Sequence, residues 1–145
     1  LGMQILFDIS DESPSSKGLG IISGEVKKLS SENSLVFKRS VPNIGYNVVE
    51  VLKGNSGLFD TKLDKLSGYY YFLHSYAIFD QSLDVDLQGT TLFSDKRFVS
   101  FFLKKNLCGI QFHPERSGEK GLYFLEQIMK YFTEKVPDFV QSNRL

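Results

Sequence analysis

The 145-residue chain has no tryptophan, four prolines, two histidines and a single cysteine, and its seventeen Lys and Arg offset seventeen Asp and Glu. Each shortage removes a class of explanation. One Cys cannot close an intramolecular disulfide, and two His beside it are too few soft ligands for a standard structural zinc site; no metal and a reduced, cytoplasmic setting are expected. Zero net charge argues against broad binding of nucleic acid or anionic membrane. No run approaches the roughly 20 apolar residues that span a bilayer. The longest aromatic stretch, Tyr69 to Leu73, ends at His74 and Ser75. Leu1 to Phe7 lacks a basic n-region and turns acidic at Asp8, Asp11 and Glu12, which is not a signal peptide.

What is present is globular. Apolar residues make up 41% of the chain, aromatics 14% and charged residues 23%, enough for one α/β domain over residues 1–145 with a core of its own. The chain opens without Met, inside an apolar-periodic segment. A cut through a larger domain is the expectation.

The coarse pattern alternates short extended segments with turns. Gln4 to Phe7 reads as the end of a short helix, Ser13 to Gly18 as a loop, and Leu19 to Leu29 as β. Ser30 to Ser34 and Asn55-Ser56-Gly57 read as turns, with one helical turn between Leu58 and Leu66. Val41 to Val51 reads as a turn feeding a strand. Further strands are predicted at Tyr69 to Ile78, at Thr90 to Ser94 joined to Phe98 to Leu103 by Asp95-Lys96-Arg97, and at Leu107 to Phe112. One strong helix is predicted from Lys120 to Lys135, with Leu122, Leu125, Ile128, Met129 and Phe132 on its apolar face. Ser117-Gly118 would cap it, and Val136-Pro137 would end it before a frayed tail.

Gln111-Phe112-His113-Pro114-Glu115 is the most informative stretch. Side chains two apart on an extended segment share a side, so His113 and Glu115 can meet at a strand end. A carboxylate there holds the imidazole's tautomer and steadies its cation, the second half of a nucleophile, His and acid triad. A surface His beside a solvated Glu is the competing reading. Cys108 is the only thiol, five residues before His113, where the two side chains would face opposite ways; it reads as a small core residue.

Leu1-Gly2-Met3-Gln4 with Gln111 to Glu115 resembles a class I, or triad, glutamine amidotransferase domain. Lys17-Gly18-Leu19-Gly20, Val41 to Asn47 and Phe72-Leu73-His74-Ser75-Tyr76 stand in the order found in the glutaminase subunits of imidazole glycerol phosphate synthases. The resemblance implies the C-terminal part of that family's open mixed sheet flanked by helices. In the family pattern Leu1 follows the nucleophilic Cys, so the N-terminal portion carrying the elbow is expected outside these residues.

By the same resemblance His113 is the general base and acid, Glu115 its orienting partner, and the Leu1 N–H an oxyanion-hole donor. Gln4 and Glu12 would hold L-glutamine, Glu12 at its α-ammonium, and the Ser75-Tyr76 backbone would receive its carboxylate. His74 looks like a structural neighbour of that segment. Pro42, Asn43, Ile44, Gly45, Tyr46 and Asn47 would face a (β/α)₈-barrel cyclase, with Asn43 and Tyr46 standing where His and Trp are commoner. No cofactor is implied. Without the resemblance, Glu12 is a solvated loop residue, Gln4 the polar side of a short helix, and Ser75-Tyr76 a strand end. Other outcomes are a branch serving amidino-sugar formation in surface polysaccharide synthesis, the glutaminase part of an anthranilate, carbamoyl phosphate or guanylate synthase, or a non-catalytic binding module.

Overall fold

The computed structural model describes residues 2–30, 40–52 and 63–135. The elements are β1 (Ile9–Ser10), β2 (Glu25–Lys28), β3 (Asn43–Leu52), β4 (Gly68–His74), β5 (Tyr76–Ile78), β6 (Leu87–Phe93), β7 (Lys96–Lys104), β8 (Leu107–Ile110) and α1 (Gly118–Lys135), with 3-10 turns at Gln4–Leu6, Leu63–Leu66 and Pro114–Arg116. They form two open sheets. One has the order β1-β2-β5, the other β4-β3-β6-β7-β8. Only β1 and β2 run parallel among the described pairs. The α/β class and its mixed directions stand, with one α-helix among the described residues.

β7 is buried on both faces, and a bulge explains how. Val99 pairs with Thr90 and Phe101 with Gly89, leaving Ser100 unpaired in the ladder. Phe98, Phe101 and Leu103 therefore join the core under α1, while Val99 and Phe102 enter a second core with Met3, Phe7, Ile22, Val26 and Ile78. Ser100 is also buried, with its Oγ donating to Thr91 Oγ1 at 2.6 Å.

Several predicted boundaries move for identifiable reasons. The strand predicted from Tyr69 to Ile78 is two strands in different sheets, because at Ser75 the chain leaves β3 and pairs instead with β2. The β reading of Leu19 to Leu29 shrinks to Glu25–Lys28. Its first half wraps the opening turn instead, with Leu19 N donating to Ile5 O and the N–H groups of Ile21 and Ile22 both to Leu6 O. A Cβ on Gly18 would lie 1.8 Å from Phe7 O, so only glycine permits that approach. The hairpin closes at Ser94-Asp95, since Phe93 already pairs with Lys96. Ser30 and Leu63 to Leu66 fall within the described residues, but the rest of the Ser30 to Ser34 turn, Asn55 to Gly57 and the Val136-Pro137 stop lie outside them.

The helix exists but is rotated from the predicted face. Ile128 is buried and Phe132 packs half-buried against the core as expected, while Leu122, Leu125 and Met129 are exposed and Phe124 is buried instead. Phe124 packs edge-on against Phe101, Phe112 and Tyr70 at centroid separations of 5.0, 5.0 and 5.8 Å, and burying such a ring contributes about 1.5–3 kcal/mol. The rotation is set one turn earlier: a Cβ on Gly121 would stand 1.9 Å from Pro114 O, so the backbone seats directly on the Pro114–Arg116 turn. Helical spacing alone could not see that contact. The predicted Ser117 cap is also revised, since its hydroxyl donates backward to His113 O at 2.6 Å.

Candidate active site

His113 leaves β8 and is stitched to β4. Its N–H donates to Tyr71 O at 2.8 Å. Ser117, buried in the turn that follows, donates its Oγ–H to His113 O and accepts the Tyr71 N–H at 2.9 Å. Both backbone groups of His113 are thereby anchored.

The predicted dyad forms. His113 Nδ1 lies 2.8 Å from Glu115 Oε1. The carboxylate accepts, so Nδ1 carries the proton and Nε2 keeps its lone pair, the tautomer a general base needs. That bond is the main reason the Glu115 carboxyl is held below its ordinary range. The pair is partly open to solvent, with side chains 38% and 64% exposed.

Gln4 bridges toward this segment. Its Nε2 donates to Tyr76 O at 2.9 Å and to Gln111 Oε1 at 3.1 Å, so the opening turn sits beside the residue two before His113. Gln4 and Glu12 line one cleft of about 240 Å³ with Phe7, Ser10, Lys17 and Gly18. Glu12 is exposed and its N–H bonds Ser10 Oγ at 3.2 Å. Ser75 and Tyr76 are half-buried at the crossing between the sheets. Leu1 lies outside the described residues.

Cys108 packs against the main core from β8, and burial pushes its thiol up to about 12. It is a core residue, as the sequence reading had it, and burial disfavours the thiolate.

The Pro42–Asn47 segment divides by alternation. Pro42 is exposed just ahead of β3. Ile44, Tyr46 and Val48 face outward, opposite Leu73, Tyr71 and Tyr69 of β4. Gly45 is half-buried between. Asn43 and Asn47 instead turn inward, so their side chains are not surface groups. On the outer face Arg116 lies 4.0 Å over the Tyr71 ring, and Tyr46 Oη donates to Arg116 O at 2.8 Å.

Sequence reasoning took the Tyr69 to Phe72 run as core and interface packing but did not place Val48 and Leu73 on this face, the two hydrogen bonds of the Ser117 hydroxyl, or the inward pair Asn43 and Asn47. The outer row was signalled by strict alternation from Ile44 to Val48. Ser117 carried no signal for its bond to Tyr71 N, which lies on another strand, β4.

No family model matches the chain. Among curated proteins it is similar to imidazole glycerol phosphate synthase subunit HisH of Pyrococcus furiosus, 39% identical over 130 residues, which cover 90% of this chain and 61% of that protein. The subunit HisH of Chlorobium luteolum is 37% identical over 134 residues, 92% of this chain and 60% of that one. That of Bacillus velezensis is 35% identical over 135 residues, 93% and 61%. The chain spans about three-fifths of the length of the curated relatives it matches. The likeness runs through about nine-tenths of the chain and includes the His113–Glu115 pair in bonding contact, so the chain is similar over nearly its whole length to HisH subunits of imidazole glycerol phosphate synthase.

Proposed function

We propose that the protein to which this chain belongs hydrolyses L-glutamine and delivers ammonia to a (β/α)₈-barrel cyclase that builds the imidazole ring of histidine biosynthesis. It needs no cofactor and works in the cytoplasm. The observation that carries the reading is the His113–Glu115 bond, which leaves Nε2 of the imidazole able to take a proton.

The nucleophile is a thiol immediately ahead of Leu1, whose N–H then helps hold the oxyanion. Gln4, three residues on, reaches Gln111 and so supports bringing that end of the chain to the His113 segment. Nε2 takes the thiol proton and the thiolate attacks the side-chain amide carbon of glutamine. The tetrahedral intermediate collapses to a thioester as Nε2 returns the proton to departing ammonia. Nε2 then deprotonates the water that releases glutamate. Glu115 steadies the imidazolium formed in both halves. Glutamine's α-ammonium sits at Glu12 and its carboxylate at the Ser75-Tyr76 backbone. The cleft shared by Gln4 and Glu12 supports this placement.

Ammonia is a nucleophile only while unprotonated, so release into bulk water wastes it. Docking the cyclase on the outward row of Ile44, Tyr46, Val48, Tyr69 and Leu73 keeps it enclosed. The test is glutamate release by the full-length protein with its barrel partner. His113→Ala should lose roughly 10²–10⁴-fold or more in kcat/KM, and Glu115→Ala less. Equal rates in all three proteins would overturn the assignment.

A further inference from the structure

We infer that His74 is a positioning residue for the carboxylate of glutamine, acting by clamping the Tyr76 carbonyl from the buried face of the β3–β4 ribbon. The inference rests on the proposed binding of that carboxylate at the Ser75-Tyr76 backbone.

The hydrogen bonds around His74 determine one another. Its Nδ1 lies 2.8 Å from Tyr76 O, which can only accept, so Nδ1 donates. Its Nε2 lies 2.9 Å from Asn43 Nδ2, which can only donate, so Nε2 accepts. The Asn43 amide cannot be reversed, because its Oδ1 accepts from Asn47 Nδ2 at 3.1 Å. The ring is therefore the neutral Nδ1–H tautomer, its orientation set by Asn43 directly opposite on β3, which Asn47 in turn holds. Burial agrees, pushing His74 down to about 4 against the raising effect of its bond to Tyr76.

Tyr76 O thus accepts twice, from His74 Nδ1 and Gln4 Nε2. Such double clamping fixes the plane of the Tyr76–Ala77 peptide, the first of β5 after the chain passes from one sheet to the other. The Tyr76 N–H belongs to the peptide just before it and the Ser75 N–H to the one before that, and the direction of these groups decides how well they meet an anion. Ser75 O, on the same crossing, is held by the Leu29 N–H at 2.8 Å. Phe72 and Phe98 pack against the imidazole at centroid separations of 5.6 and 5.0 Å.

Two substitutions separate the two ring nitrogens. In His74→Asn an amide nitrogen replaces Nδ1 and keeps the Tyr76 bond; in His74→Gln an oxygen replaces Nε2 and keeps the Asn43 bond but loses Tyr76. Steady-state glutamine hydrolysis by the full-length protein with its barrel partner should show KM for glutamine raised about tenfold in His74→Gln, the loss of one buried hydrogen bond. His74→Asn should stay within about threefold, and kcat should move less than KM in both. A KM unchanged in His74→Gln, or raised equally in the two variants, overturns the inference while leaving the glutaminase reading intact. An unaltered protein that releases no glutamate overturns both. Should the variants fail to fold, the imidazole ¹⁵N–¹H correlations of the unaltered protein decide: Nδ1 protonated and Nε2 bare is the expected pattern, and a dominant Nε2–H tautomer refutes the clamp.

Discussion

Ser117→Ala probes how the general base is held. The hydroxyl makes two bonds in a buried corner, to His113 O at 2.6 Å and from the Tyr71 N–H at 2.9 Å. Each contributes on the order of 1 kcal/mol net, and stranding the partly buried Tyr71 N–H adds to the loss, for a total of about 2–3 kcal/mol. That is a large share of a domain stability of about 5–15 kcal/mol. With a urea slope of about 1–3 kcal/mol/M, the unfolding midpoint of the full-length protein should fall by about 0.7–3 M with the slope unchanged. The catalytic effect should appear in kcat. The substitution loosens the backbone that carries His113, and a displacement of about 1 Å costs up to about 10²-fold. KM should hardly move, because Gln4 and Glu12 line a cleft that Ser117 does not touch. An unchanged midpoint would refute the bond accounting. A lowered midpoint with an unaltered kcat would show that His113 is positioned by something else.

The Glu115 carboxyl should titrate, in an NMR pH series, below the ordinary value of about 4.3. Its folded pKa is lowered, so the dyad persists from neutral pH down through the usual carboxylate range and is lost only as pH falls through the depressed value; a midpoint at or above the ordinary value refutes the pairing. Cys108 should resist alkylation in the native full-length protein near pH 8, since its thiol sits near 12; rapid labelling there, read by peptide mass, would contradict its burial. Ile44→Asp or Leu73→Asp should leave stability within about 0.5 kcal/mol yet weaken binding of the barrel partner at least about tenfold by calorimetry, and an undiminished affinity would remove this face from the interface. Gly121→Ala should destabilise by about 1–3 kcal/mol or more, because its Cβ meets the immovable Pro114 carbonyl; a thermal midpoint equal to wild type would mean that the seat of α1 can shift.

The dyad was legible because it depends on local spacing alone: His113 and Glu115 are two residues apart and bonded as the pattern implied. The opposite facing of Cys108 was local too. What sequence could not supply was anything set by a distant partner. The helix was expected to bury Leu122, Leu125 and Met129, but Gly121 against Pro114 O rotates it so that Phe124 enters the aromatic core. Ser117 was expected to cap that helix, yet its hydroxyl donates to His113 O in the adjoining turn and accepts from the Tyr71 N–H of distant β4. Asn43 and Asn47 were placed at the partner face by the family resemblance, although strand alternation sends them inward.

That alternation joins the two halves of the proposed chemistry. A strand presents successive residues to opposite faces, so β3 carries two messages in one stretch: Ile44, Tyr46 and Val48 form an outward apolar row suited to a partner, and Asn43 and Asn47 form an inward amide pair. The outer row reaches the dyad turn, because Tyr46 Oη holds Arg116 O one residue after Glu115. The inner pair reaches the crossing at Tyr76 through His74. A small tilt of this ribbon on docking would therefore be felt at the base and at the carboxylate segment together, without any separate relay between them. It would act through backbone carbonyls rather than through charged side chains, so its influence on turnover should survive high salt, which screens exposed charges within a few ångströms. Partner stimulation of glutamate release that disappeared at high salt while the complex stayed assembled would argue for an electrostatic route instead.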